Sequence, residues 1–359
     1  MNAAPISATL HVFVAFDWGD EIRLENAQKL LASASFQELA RRRRTPTSFT
    51  FRPPPLHLDI GDMTVSLPEA GDVVAPIGLT LFDFGAVSAA IRIPLSLTPD
   101  RFLRVAGGLA DPGAVTQAVR AILKPIHQML LPCILDPAWE DEFSEEYFVF
   151  QFAPENMPLA GDSAWRAGMG HLEAGPLSQD EAAEAIRMKI TYGPDDLCIP
   201  DWTAAVLFDR DCDETLQAIA FANLQLLEFR HIDHRLDQSV ADASKILHPL
   251  TRSSLPFWRI HARPLRQLGD LKVEANALFE RTSNALKLVG DSYLARVYRL
   301  LAARFHLDTW EENILRKLEV AEGVYQVVSD QAAAFRGEFL EAVVVVLILV
   351  EIVLAFVKH

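Results

Sequence analysis

The stretch from Phe339 to Val357 constrains this chain more than any other. It is 19 residues long, apolar except for Glu341 and Glu351, and followed by Lys358 and His359. As a helix at 1.5 Å per residue it reaches roughly 28 Å, close to the ~30 Å hydrocarbon thickness of a bilayer. Valine, leucine and isoleucine fall on every face of such a helix, as lipid exposure requires; a buried core or interface helix is the competing reading. The sequence predicts one transmembrane helix over 339–357, with Glu341 at headgroup level and Glu351 inside the apolar span. A carboxyl at that depth is costly when charged, so Glu351 is expected to be protonated or paired with a neighbouring helix.

The rest of the chain reads as a folded body. Half of its residues are hydrophobic and 23% are charged, a balance that excludes disorder and supports a packed core. The net charge of −15 argues against coating nucleic acid, which needs a basic surface. Cys133, Cys198 and Cys212 are widely spaced, with no Cys-x-x-Cys pair, so neither a disulfide framework nor a zinc ribbon is expected and a reducing compartment fits. Residues 1–20 lack a basic start and carry His11 and Asp17 within their apolar part, so they read as a strand rather than a signal peptide. The expected location is the cytoplasmic (inner) membrane, single-pass, with the body on the cytoplasmic side. Arg316, Lys317 and Arg336 on the body side agree with that orientation.

In chain order the fold class reads as α+β: an N-terminal mixed domain over 1–153, a linker or covering loop over 154–177, a helical domain over 178–338, then the transmembrane helix. Ala8–Phe16 is a strand, and Leu24–Arg44 has helical periodicity ending in Arg41, Arg42, Arg43 and Arg44. Those four arginines are a candidate anion contact, against the ordinary reading of a solvated helix end. Short strands follow over 47–52, 56–60, 63–67, 79–84 and 86–94. The Asp83-Phe84-Gly85 triplet lacks every companion motif of a kinase magnesium site, so Gly85 reads as a turn or bulge. A helix is expected over 112–124, ended or kinked by Pro125. Residues 147–152 read as a buried strand, and 154–177, rich in Gly, Pro and Ser, as linker.

A long helix begins near Asp213 and carries Glu228, His231, His234 and Asp237 at steps of three. Such spacing drifts by about 60° per step, so the four groups cannot meet one ion, and a polar helix face is the preferred reading. Asp209, Asp211, Asp213 and Glu214 ahead of that helix are the acidic candidates for a rival reading, a metal-dependent enzyme with its site between the two halves. Capping is their ordinary role. No catalytic motif, metal site, cofactor or small-molecule substrate is predicted. The last helix carries Trp310, Ile314, Leu318, Ala321, Tyr325, Val328, Ala332 and Phe335 in a heptad-like seam, which either packs along its own domain or supercoils with other copies.

Several segments together resemble a known family. Asn284–Arg299, Trp310, Lys317–Glu319, Tyr325, Ser329–Gln331 and Leu340–Glu341 are similar to the C-terminal signature of the required-for-meiotic-nuclear-division family. Leu347–Leu354, with Glu351 inside, resembles its membrane helix; Leu226–Arg230 and Leu81–Gly85 resemble its other recurring segments. Ala342 stands where the family usually has an aromatic residue, and His231 and His234 stand where its pattern has no histidine. The resemblance implies a non-enzymatic, membrane-anchored homo-oligomer. Mitochondrial relatives support translation of membrane proteins, which makes the chain itself, the lipid bilayer and the ribosome the expected partners.

Overall fold

The computed structural model describes residues 4–33, 53–139, 143–185, 187–250, 269–280 and 292–357. It divides into two compact units: Met1–His231 with Glu280–Asp308, and Ile232–Phe279 with Thr309–His359. The expected strand over 47–52 and the end of the expected helix over 24–44 lie outside the described residues.

Unit one is built around strand β1 (Ile6–Asp17). Its run Leu10-His-Val-Phe-Val-Ala-Phe16 is buried on both faces, as the nearly continuous apolar sequence requires. β2 (Gly19–Ile22), helix α1 (Leu24–Ser33) and the strands β3 (Leu56–Leu67), β4 (Gly71–Leu81) and β5 (Ala86–Leu97) follow. The two strands expected over 56–60 and 63–67 are one strand, β3, with a register shift between Asp59 and Gly61. Gly61, at φ 103°, supplies the left-handed residue that lets β3 continue past the irregularity. After α2 (Pro99–Gly108) and α3 (Gly113–Leu130) come β6 (Ile134–Pro137) and β7 (Glu145–Phe152), then α4 (Ser163–His171), α5 (Gln179–Ala185), β8 (Leu197–Pro200) and β9 (Ala204–Phe208).

Among the described residues, seven strands form one sheet in the order β3-β4-β5-β1-β7-β9-β8, antiparallel except for the β7–β9 pair; β2 and β6 form a small second sheet. One sheet face meets α1 to α4, where Leu10, Val12, Val14 and Phe16 join Phe102, Val119, Ile126 and Trp165 in one core. On the other face Ala15 and Ala86 pack with Leu224 and Leu227 of α6 (Asp213–Leu250). From Ala218 to Phe229 α6 is almost wholly buried, so unit one is layered helix, sheet, helix.

Two sequence expectations give way here. α3 continues through Pro125 to Leu130, because Leu123, Ile126 and Leu130 are buried on one face while Pro125 sits exposed on the other. Core burial outweighs the backbone hydrogen bond a proline forgoes. Residues 154–177, expected as a linker or covering loop, hold a 3-10 turn and α4, and Trp165, Met169 and Leu172 lie in the main core. The divisions between units fall after His231, Phe279 and Asp308. Gly85, at φ 92°, is a turn residue as expected: a Cβ there would lie 1.5 Å from the Gly19 carbonyl oxygen, and the Gly85 carbonyl accepts from Trp18 N–H at 3.1 Å.

Unit two is helical. It contains the rest of α6, the described part of α7 (269–280) up to Phe279 and most of α9 (Leu307–Val357), which α8 (Ser292–Arg304) of unit one precedes in the chain. Each helix buries an apolar stripe at steps of three or four: Ile232 and Leu236; Leu271, Ala275 and Leu278; Ile314, Leu318, Ala321 and Tyr325. Ion pairs tie the helices together. Lys317 Nζ lies 2.7 Å from both Asp233 and Asp237, Arg235 Nη1 lies 2.8 Å from Glu274, and Lys272 pairs with Glu322. The N-terminal mixed sheet domain and helical C-terminal part expected from the sequence are both present.

Candidate functional site

The end of α9 differs from every other described helix. Val343–Val350, Ile352 and Val353 are all exposed, from 36% at Val343 to 62% at Leu347. Eight consecutive residues at 3.6 per turn point in every direction, so no face of this run is covered by the described chain. Exposed apolar surface of this extent marks an interaction or membrane site rather than an ordinary protein surface. Glu341 is exposed just before the run, and Glu351 is helical, with its side chain outside the described residues. Among the described residues, no helix is long and apolar enough to cross a membrane. The described apolar side chains, 343–353, cover roughly 15 Å of helix, about half the hydrocarbon thickness.

The seam residues fall differently. Ile314, Leu318 and Tyr325 are buried within the chain, and the Tyr325 hydroxyl lies 3.1 Å from the Ser239 hydroxyl of α6. Of the two roles open to the seam, this part packs along its own unit. Trp310 is half-buried; the side chains of Val328 and Phe335 lie outside the described residues, as do Arg41, Arg42, Arg43 and Arg44.

A second concentration of chemistry lies where α6 crosses the sheet in unit one. His231 Nδ1 is 2.7 Å from Asp17 Oδ2 at the end of β1, and the other Asp17 oxygen accepts the Gly19 N–H at 2.8 Å. Next to it, Arg230 pairs with Glu145 at the start of β7, and Asn223 Nδ2 donates to the Glu145 carbonyl at 3.0 Å. Burial pushes the Glu145 carboxyl up to about 7, outweighing the attraction and hydrogen bond of Arg230; Glu146 adds to the rise. Glu228 is buried as well. His234, by contrast, is exposed and meets Gln238, and Asp237 meets Lys317. The Glu228, His231, His234 and Asp237 set is therefore split between different partners.

Ahead of α6, two of the acidic candidates have local partners. Asp209 Oδ1 accepts the Asp211 N–H at 3.0 Å, and Asp213 lies 3.8 Å from Arg92. Among the described residues no three His, Cys, Asp or Glu side chains are grouped to hold a metal ion. A further buried carboxylate, Asp201, accepts Arg304 Nε at 2.9 Å and faces His171 Nδ1 at 3.3 Å, while its carbonyl accepts the Tyr147 hydroxyl at 2.9 Å. Burial pushes the Cys198 and Cys212 thiols up to about 12, which keeps both protonated and unreactive.

Residues 7–214 match the family described as "Uncharacterized protein MJ0711, N-terminal domain". The matched stretch is more than half of the chain. This protein belongs to the MJ0711 N-terminal domain family. Uncharacterized protein MJ0711 of Methanocaldococcus jannaschii is 26% identical over 223 residues, 61% of this chain and 68% of that protein. No solved structure matches the chain.

The MJ0711 N-terminal domain, laid on the fold, runs from the first residues of β1 to the first residues of α6. It takes in the whole sheet, Asp17, Glu145 and Asp201. Arg230, His231 and all of α9 lie beyond the matched residues. The sequence missed the Asp17–His231 and Glu145–Arg230 pairs because their partners stand far apart in the chain. The one local signal was a carboxylate, Asp17, closing an otherwise apolar strand.

Proposed function

We propose that this chain is a non-enzymatic scaffold fixed to a membrane by the end of α9, with its body on the cytoplasmic side. The observation that carries this reading is the uncovered apolar run Val343–Val353. On the insertion scale each Val, Leu or Ile contributes about −0.3 to −0.6 kcal/mol at mid-membrane, and an aspartate costs about 2.5–3.5. Ten described apolar residues therefore contribute roughly −3 to −6 kcal/mol, enough to offset one carboxyl such as Glu351. Protonation or pairing of Glu351 lowers that cost further.

Association of copies through this segment, with Glu351 side chains sharing hydrogen bonds, is part of the proposal. It leaves Ile314, Leu318 and Tyr325 to their own unit. The resemblance of 284–354 to the required-for-meiotic-nuclear-division family supports a role near the translation of membrane proteins, with the ribosome as partner. The test is fractionation of cells making the full chain, followed by an alkaline carbonate wash. The expected result is that the chain stays with the membranes and that Ile348→Asp with Val350→Asp releases it. Recovery of the unaltered chain in the soluble fraction before any wash overturns the proposal.

A further inference from the structure

Three carboxylates of the matched stretch 7–214 are withdrawn from water, and each meets a basic side chain from beyond residue 214. Asp17 Oδ2 lies 2.7 Å from His231 Nδ1, Glu145 pairs with Arg230, and Asp201 accepts from Arg304 Nε at 2.9 Å. Asp201 is the most enclosed of the three: its side chain is 1% exposed and that of Arg304 15%. Its Oδ1 also accepts the Trp202 N–H at 2.7 Å, and within the matched stretch its Oδ2 faces His171 Nδ1 at 3.3 Å. Apolar contacts repeat the pattern. Phe305, next to Arg304 and fully buried, meets the Tyr147 ring of β7 edge to face at 5.4 Å, and the Tyr147 hydroxyl donates to the Asp201 carbonyl. Leu224 and Leu227 of α6 pack on Ala15, Phe82 and Ala86. Tyr298 of α8 donates to Gln225 of α6, so the two helices also hold each other, all inside unit one.

We propose that the MJ0711 N-terminal domain of this chain is a docking surface for helices that carry basic side chains, and that α6 and α8 complete the domain rather than follow it. The deciding contact is Arg304 at Asp201. A buried carboxylate that loses its partner is left as an uncompensated charge in a dry site, which costs far more than the intact pair contributes. Residues 7–214 by themselves would hold three such groups and leave Ala15, Phe82 and Ala86 uncovered. The chemistry of the site sets the kind of partner it takes: a helix that ends in an arginine followed by an aromatic residue, the first reaching Asp201 and the second the Tyr147 ring. Arg304 and Phe305 close α8 in this way. The inference stands apart from the membrane reading, since none of these residues belongs to Val343–Val353.

Hydrogen exchange in the full chain tests this, read at the α8 amides from Val297 to Leu301 and the β7 amides from Phe148 to Phe152. In the unaltered chain the two sets are expected to open together, with protection equal to within about tenfold. Arg304→Gln is expected to lower both sets by about a hundredfold or more, because it leaves Asp201 buried without its cation. Adding Asp201→Asn to Arg304→Gln removes the stranded charge and is expected to return most of that protection in both sets. Exchange of α8 about a hundredfold or more faster than β7 in the unaltered chain overturns the proposal, since the domain then stands without the helix. A fall confined to α8 in Arg304→Gln overturns it too, as does a double variant protected no better than the single one. The unaltered chain decides the matter even where a variant folds poorly.

Discussion

The two ends of α9 are equally helical and almost opposite in design. Over 314–325, the buried apolar residues Ile314, Leu318, Ala321 and Tyr325 fall at steps of four, three and four, Leu315 and Val320 lie exposed off that stripe, and Lys317 and Glu322 reach charged partners on α6 and α7. Over 343–353 the described side chains, those of Val343–Val350, Ile352 and Val353, are apolar without a period and exposed without exception. The first pattern contains its own instructions, since a stripe one helix wide specifies a neighbour within the chain. The second specifies no direction and therefore no single protein neighbour; it specifies an apolar surrounding. Hydrophobicity decides that a segment leaves water, and periodicity decides where it goes.

Substitutions separate the two ends. The largest effect is expected at the second. Each apolar residue of 345–350 changed to Asp shifts insertion by about 3–4 kcal/mol, a hundredfold or more in membrane partition, with no change in the thermal unfolding of the body. Carbonate extraction and calorimetry of the detergent-solubilised protein check both halves of that statement. At the first end the order reverses. Leu318→Ala is expected to cost about 2–5 kcal/mol of unit-two stability by leaving a cavity, with membrane partition unchanged. Smaller again is Lys317→Ala, which removes one cation from between two carboxylates and is expected to cost about 1 kcal/mol. Lys272→Ala removes an exposed pair and is expected to change stability by less than about 0.5 kcal/mol, well under the calorimetric shift expected of Leu318→Ala.

This contrast also explains what the sequence revealed. β1, α6 and α9 were legible because each carries one unbroken pattern: a β-branched and aromatic run, a long apolar period, and a seam without proline. The 154–177 stretch was not, because Gly168 and Gly170 read as breakers although they are buried in α4 against Glu173 and Asp201. There glycine serves close packing rather than a turn. Pro125 misled for a similar reason: its own chemistry argues for a helix end, and only the burial of Ile126 and Leu130 beyond it carries α3 onward. The seam on α9 was visible as a seam, but its partner was not, since a heptad states spacing and not ownership. Asp17 and His231 stand 214 positions apart, and no local pattern joins them.

The claim that lipid surrounds the end of α9 is tested most directly by chemical access in native membranes. Leu347→Cys and Val327→Cys place single thiols at positions that are 62% and 51% exposed in the chain alone, while Cys133, Cys198 and Cys212 are buried. In inverted membrane vesicles, whose cytoplasmic face is outward, a water-soluble, membrane-impermeant maleimide is expected to label Val327→Cys fully, and Leu347→Cys only after detergent is added. Equal labelling of both thiols in intact membranes would contradict the account.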